Sequence, residues 1–424
     1  MEQKQEQKQE LKKNLGAVTA MATVVGSVIG SGVFFKPQAI YTATGGAPGL
    51  GMHAWLITGI VSIAAALTFS EVAIMIPKTG GIVAYLEEIY NPMIGFLAGW
   101  VQILLFYPAM ISALAVAGGQ QMAFFIGDGY VAPVAVAMII IIIFLNSMGS
   151  KIGGSVQVIF TVCKMIPLIL LMIFGFVRGA GTNPVFTPMV GEGWTNVGAI
   201  AGEMKNPGKD LPVAIVGGVS LIMAVYFIIN LAYLWVLPAS ELATLTAPAS
   251  AVAVKILGKL GGQIVSIGII VSVFGSCNGF ILSGSRVAYS LAAEGKFPFH
   301  KTFAKLNGAQ VPANAIMLVG GIGAFYALSG QFNLLTDLAV FSSWTFYTLT
   351  FIGVIKLRKD RPNAVRTYKV PLYPIVPLIA IASGIFVIIN QIFLAGHRST
   401  VISIASIIVM LLGLPAYTII KKRL

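Results

Sequence analysis

The chain has 424 residues, 57% of them hydrophobic and only 10% charged, with a mean hydropathy of +0.90 and a formal net charge of +13. That apolar excess excludes a soluble fold and predicts an integral membrane protein of many helical spans, so the Lys and Arg surplus is read by its location and not as a nucleic-acid surface. Cys163 and Cys277 both lie in apolar runs, which leaves no extracellular disulfide framework.

The N-terminal MEQKQEQKQELKKN is polar and highly charged, without the short apolar core of a cleavable signal, and reads as a solvated tail over residues 1–15. The first apolar run, Gly16 to Ile40, is long enough to cross a bilayer, yet its middle reads GSVIGSGVFFKP, with Gly26, Gly30, Ser31 and Gly32 at mid-depth. A helix broken there frees N–H and C=O groups that hydrocarbon cannot satisfy, a state tolerated only where the backbone lines a cavity. Half-helix N-termini then favour anionic groups and loosened carbonyls favour cations, and an amino-acid zwitterion carries both. Gly26 and Gly30 also form a GxxxG pair, which alone would serve close helix packing.

Further spans are predicted at Gly51 to Ile76, Met93 to Phe125, Val131 to Met148 and Val156 to Val177. After these, Val213 to Leu237, Gly262 to Leu291, Ala313 to Leu328, Leu334 to Ile355, Ile375 to Leu394 and Val401 to Ile420 bring the apolar runs to eleven. The PKTGG turn and IVAYLEEIY after the second span predict an interfacial or re-entrant segment, and the proline-rich Val370 to Pro377 links span ten to a final pair. Between Arg178 and Asp210 only Trp194 to Ala201 is apolar. With a sixth span there and a cytoplasmic N-terminus, the only Lys and Arg left outside are Lys36, Arg178, Lys255, Lys259 and Arg398, with Lys164 inside the membrane. Without it most of them move outside, so the positive-inside rule favours twelve transmembrane helices. Part of span six is then missing near Gly193, short by roughly a dozen residues.

Lys164 is the most informative charge, near the middle of the fifth span and roughly 12 Å from either end, too deep to snorkel. No carboxylate lies at that depth in the other spans, so its expected acceptors are the carbonyls around Gly26, where it would replace a bound sodium ion; a structural lysine tied to an internal water is the plainer reading. Glu71 is expected to pair with Arg286 at the cytoplasmic ends of spans two and eight, as an intracellular gate or as an ordinary interfacial salt bridge. Asp337 reads as the start of span ten. Tyr233, Asn278 and Trp194 with Thr195 and Asn196 are in-span groups able to line a site or to bond between helices. Trp55, Trp100 and Tyr130 fit interfacial anchors. His53, His300 and His397 stand apart, so no metal site is expected, and the chain has no Walker, Rossmann or hydrolase signature, so neither an enzyme nor a cofactor is expected.

IGSGVFFKP, PKTGG, TVCKMIP, WTNVGAIAGEMKNPGKDLP, SCNGFILSGSRVAYSLAAEGKFP and VPLYPIVP together resemble the L-type amino acid transporters of the amino acid–polyamine–organocation superfamily, most of all bacterial alanine–serine–cysteine exchangers. The resemblance spans nearly the whole chain. It implies an all-α, leucine-transporter-like 5+5 inverted repeat with spans one and six broken: a first repeat over 16–177, a second over 178–356, and spans eleven and twelve over 374–420. It implies a substrate carboxylate on the N–H groups of Ser31 and Gly32, within a Val28, Ile29, Gly30, Ser31, Gly32 segment. The substrate ammonium would meet carbonyls near Val28 and in span six. Lys164 matches the family's span-five lysine that stands in for sodium, and Tyr233 a span-seven tyrosine at the substrate region. The implied activity is sodium-independent exchange of small neutral L-amino acids across a plasma membrane, bacterial inner membrane included, with both termini cytoplasmic. Proton symport, a cationic amino acid or polyamine carrier, and a passive pore are the alternatives. Animal members join an ancillary subunit through a cysteine between spans three and four; the corresponding GDGYVAP here has none, so no disulfide-linked partner is expected.

Overall fold

A computed structural model describes residues 30–78, 80–149, 160, 163, 165–181, 207–394 and 396–422, with 128 and 207–215 in backbone alone. In chain order the main helices are α1 (Gly32–Ala43), α2 (Pro48–Met75), α3 (Ile82–Ile89), α4 (Pro92–Ile126), α5 (Val131–Ser147) and α6 (Met165–Arg178). They continue as α7 (Pro207–Val236), α8 (Pro248–Ala293), α9 (Ala313–Ala327), α10 (Phe332–Asp360), α11 (Ile375–Leu394) and α12 (His397–Lys421). Among the described residues all regular structure is helical. Seven helices among the described residues are long and apolar enough to cross a membrane, namely α2, α4, α7 from Val216, α8, α10, α11 and α12, while α5, α6 and α9 are shorter apolar helices. The first half of the first predicted span and most of the region assigned to span six lie outside the described residues.

Local chemistry sets the boundaries. Pro48, Pro92 and Pro248 open their helices, where a missing N–H costs nothing, and Asn91 caps α4 by accepting the Ile94 N–H at 3.0 Å. In α4 a π-helical turn at Gln102–Phe106 precedes Pro108, which has no N–H for the Leu104 carbonyl. The Tyr326 hydroxyl of α9 donates to that carbonyl instead, at 3.0 Å. In α8, Gly258 adopts φ 73°, a conformation open to glycine, and so separates a leading segment from the span proper.

The helices pack as pairs. α2 lies on α7, α4 on α8 and α5 on α9; α6 contacts α7 and α8, and α10 contacts α2 and α4. Polar side chains point inward, among them Gln121, Asn146, Asn230 and Asn278, while Ile57, Ile140, Phe144, Ile173, Phe386 and Phe393 are exposed, the reverse of a water-soluble protein. Interhelical bonds replace water: Asn146 donates to Asn278 Oδ1 at 2.7 Å, and Ser250 donates to Gln121 Oε1 at 2.5 Å.

The bundle has two chemically different ends. At one, Thr42 Oγ1 donates to the Ala243 carbonyl, Gly181 N to the Trp235 carbonyl, Arg178 to the Ile256 carbonyl and Arg398 to Gln331. At the other, α3 buries Ile82, Val83, Tyr85, Leu86 and Ile89 and turns Glu87 and Glu88 to Lys296, Lys78 and Arg361, with contacts of 2.6 to 2.9 Å. There Lys78 and Arg361 hold the Glu88 carboxyl below the usual carboxylate range. For Lys296, burial pulls the ammonium down, but Glu294 and Glu87 outweigh it and leave the net shift upward.

Candidate functional site

α1 begins at Gly32, where the N–H groups of Phe34 and Phe35 return to the Ser31 carbonyl, and it runs for 12 residues to Ala43. That is about 18 Å, little more than half a bilayer core. Its far end meets the Ala243 loop through Thr42, so its first turn lies near the middle of the bundle. The helix N-terminus, with its positive dipole end, therefore sits in the interior.

Pro37 shapes this half-helix. It has no N–H for the Val33 carbonyl four residues back, and the Tyr233 hydroxyl of α7 approaches that carbonyl at 3.5 Å. Two turns earlier on α7, Tyr226 hydrogen-bonds the Val33 backbone, and its hydroxyl would lie 3.5 Å from a Cβ placed on Gly32. Trp55 of α2 backs Tyr226 edge-on at 5.7 Å. Both tyrosines and Trp55 are fully buried. Towards the far end of α1, Lys36 donates to Thr336 Oγ1 of α10 at 2.7 Å and lies over the Phe332 ring, which also meets Phe35.

Of the residues singled out from the sequence, Gly30, Ser31, Gly32 and Tyr233 fall together at this first turn. Gly26, Val28, Ile29, Lys164, Trp194, Thr195 and Asn196 lie outside the described residues. Asn278 is part of the α5–α8 contact through Asn146. Among the described residues no group of three or more His, Cys, Asp or Glu side chains is placed to hold a metal.

Two expectations are corrected. Glu71, 2% exposed, does not pair with Arg286. Arg358 of α10 grips it, with Nε on Oε1 at 2.8 Å and Nη2 on Oε2 at 2.6 Å, while Val370 N donates to Oε2 at 2.7 Å and Arg366 stands at 3.6 Å. Arg358 also stacks on Tyr373 at 3.8 Å, so the segment after α10 folds over the buried carboxylate. Burial, and after it the Glu71 charge, pushes the nearby Tyr368 hydroxyl up to about 12. The physical reason is lateral: α2 contacts α10, whereas α8 is packed on α4. Trp55 is likewise a core residue and not an interfacial anchor, whereas Tyr130 is exposed.

Sequence reasoning passed over Tyr226, Asn230, Arg358 and Arg366. The spacing of Tyr226, Asn230 and Tyr233 at i, i+4 and i+7, one face of a helix, was the available signal for the first two. Nothing local marked the arginines.

A bundle of apolar helices with a polar interior, and a helix start placed halfway through it, defines a multi-pass membrane transport protein. The Amino acid permease family model matches residues 15–196 and 184–414, and the chain belongs to that family. It is 36% identical over 413 residues to the serine/threonine exchanger SteT of Bacillus subtilis (strain 168), covering 93% of each chain. It is 29% identical to the b(0,+)-type amino acid transporter 1 of Homo sapiens, over 85% of this chain and 79% of the relative. The Asc-type amino acid transporter 1 of Mus musculus is 27% identical over 91% and 77%. The family and these relatives are amino acid transporters.

Proposed function

We propose that the protein is a sodium-independent exchanger of small neutral L-amino acids such as alanine, serine and cysteine, working by alternating access. The observation that carries this is the start of α1 at Gly32, inside the bundle and against Tyr226 and Tyr233. The N–H groups of Ser31 and Gly32 would take the substrate carboxylate, and carbonyls near Val28 its ammonium. Lys164 would hold the backbone near Gly26 in place of sodium, and a lysine that keeps its charge needs no ion gradient. Trp194, Thr195 and Asn196 are further candidates for lining the site. Glu71, now with Arg358 in place of Arg286, is the candidate inner gate.

Two sets of observations support twelve spans in two repeats. α6 finishes where α7 also finishes, since Gly181 bonds Trp235. α7 has 30 residues and starts at the opposite end, about 45 Å away. The chain thus leaves α6 at one end of the bundle and enters α7 at the other, which favours a sixth crossing. The family match also breaks into two overlapping pieces there, at residues 184–196, where the span deficit lies. If α2, α4, α5 and α6 are spans two to five and α7 to α10 spans seven to ten, a two-fold axis in the membrane plane pairs two with seven, three with eight and four with nine. Each of those pairs packs together, and the α6 contacts to α7 and α8 mirror those of α10 to α2 and α4.

The membrane is taken to be a plasma membrane, a bacterial inner membrane among them, with cytoplasmic termini and no disulfide-linked subunit. The test is uptake of labelled alanine or serine into proteoliposomes with and without internal amino acid, sodium and a proton gradient. Exchange predicts saturable uptake stimulated by internal substrate and indifferent to sodium. Uptake that ignores internal substrate and follows the proton gradient assigns a symporter, preference for arginine or a polyamine assigns a cationic carrier, and non-saturating flux assigns a pore.

A further inference from the structure

Tyr226, Asn230 and Tyr233 line one face of α7, and all three are buried. The tyrosines fix where that face points, because one abuts Gly32 and the other Val33, both in the first turn of α1. Asn230 lies between them. Its amide nitrogen donates to the Tyr226 carbonyl at 2.8 Å, which sets the orientation of the amide, since the reverse would put two oxygens face to face. The opposite atom, Oδ1, is buried and meets no donor among the described residues. A side-chain acceptor left unmet in a membrane interior is unfavourable unless something that comes and goes supplies the donor.

We propose that Asn230 Oδ1 accepts a hydrogen bond from the bound amino acid, either from its ammonium group or from a side-chain hydroxyl. The inference rests on the amino-acid reading above and extends it to a specificity-determining residue. The start of α1 offers only donors, which suit a carboxylate, and a zwitterion needs acceptors as well. A neutral amide oxygen matches an ammonium already balanced by its own carboxylate, or a hydroxyl. It does not match a second, uncompensated positive charge, for which a buried carboxylate would be required.

The experiment measures counter-exchange kinetics in proteoliposomes for L-serine and L-alanine, which differ by one hydroxyl, with wild-type protein and with Asn230→Leu, of similar volume but without an acceptor. The expected result is a rise in KM of about tenfold, with the maximal rate changed less. A rise for both substrates assigns the ammonium, and a rise for serine alone assigns the hydroxyl. KM values within twofold of wild type for both substrates overturn the proposal, as does a fall in maximal rate with KM unchanged. If Asn230→Leu does not elute as a monodisperse species, Asn230→Ser and the thermal shift induced by each amino acid give the same comparison. A wild-type protein that exchanges neither amino acid would instead refute the reading on which the inference rests.

Discussion

Arg358 and Glu71 are 287 residues apart in sequence and joined by two hydrogen bonds of 2.8 and 2.6 Å, with the carboxylate almost wholly buried. Removing one partner of such a pair strands the other. Arg358→Ala should cost about 3 kcal/mol, the low end for a broken buried ion pair because Arg366 remains nearby. The double variant Glu71→Leu with Arg358→Leu should cost clearly less than the two single changes combined. Thermal unfolding midpoints of the four proteins in detergent check this; strict additivity would show that the pair is not coupled.

Two prolines leave carbonyls to tyrosines on other helices: Pro37 leaves Val33 to Tyr233, and Pro108 leaves Leu104 to Tyr326. The second contact is shorter, 3.0 against 3.5 Å. Tyr326→Phe should therefore destabilise the protein by about 1 kcal/mol and Tyr233→Phe by less. Adding Pro108→Ala should restore much of the first loss by returning an N–H to the helix. Tyr233→Phe should slow exchange several-fold all the same, because its carbonyl belongs to the first turn of α1. The ranking of melting temperatures against exchange rates decides the point.

Lys164→Ala should slow turnover far more than it weakens substrate binding, as expected of a group that steadies the backbone around the site instead of touching substrate. Comparing equilibrium binding with counter-exchange rate separates the two, and unchanged turnover would remove the role.

Glu88 carries the pH prediction. Its folded pKa is depressed by Lys78 and Arg361, so its contribution is present above the unfolded carboxylate value and lost as pH falls through the lower folded value. Glu88→Gln should lower the melting temperature slightly at pH 7, as befits exposed pairs, and the difference from wild type should close on acidification below about pH 4. A difference that persists in acid would mean that the carboxylate charge is irrelevant.

The apolar runs were legible because membrane helices need length and hydropathy and little else, and the predicted Ala313 to Leu328 span matches α9 to within one residue. The start of α1 at Gly32 was legible for a related reason, small and polar residues at mid-depth being conspicuous. Lateral neighbours were not. Charge counting places Glu71, Arg286 and Arg358 at one end of the bundle but gives no information on which helix stands beside α2, so the expected pairing with Arg286 gives way to Arg358. Asn230 escaped because a single amide among leucines and isoleucines resembles any interhelical contact until its unmet oxygen is seen.

α10 is tied at both extremities to different neighbours: its first turn to α1 through Thr336 and Lys36, its last to α2 through Arg358 and Glu71. At 29 residues it is a rigid strut of about 44 Å. Such a strut behaves as a lever with a moored point at each tip, and a tilt that slackens one mooring tightens the other. Two contacts joined this way cannot both swing wide without one anchorage giving way, so the strut itself couples the two ends of the bundle.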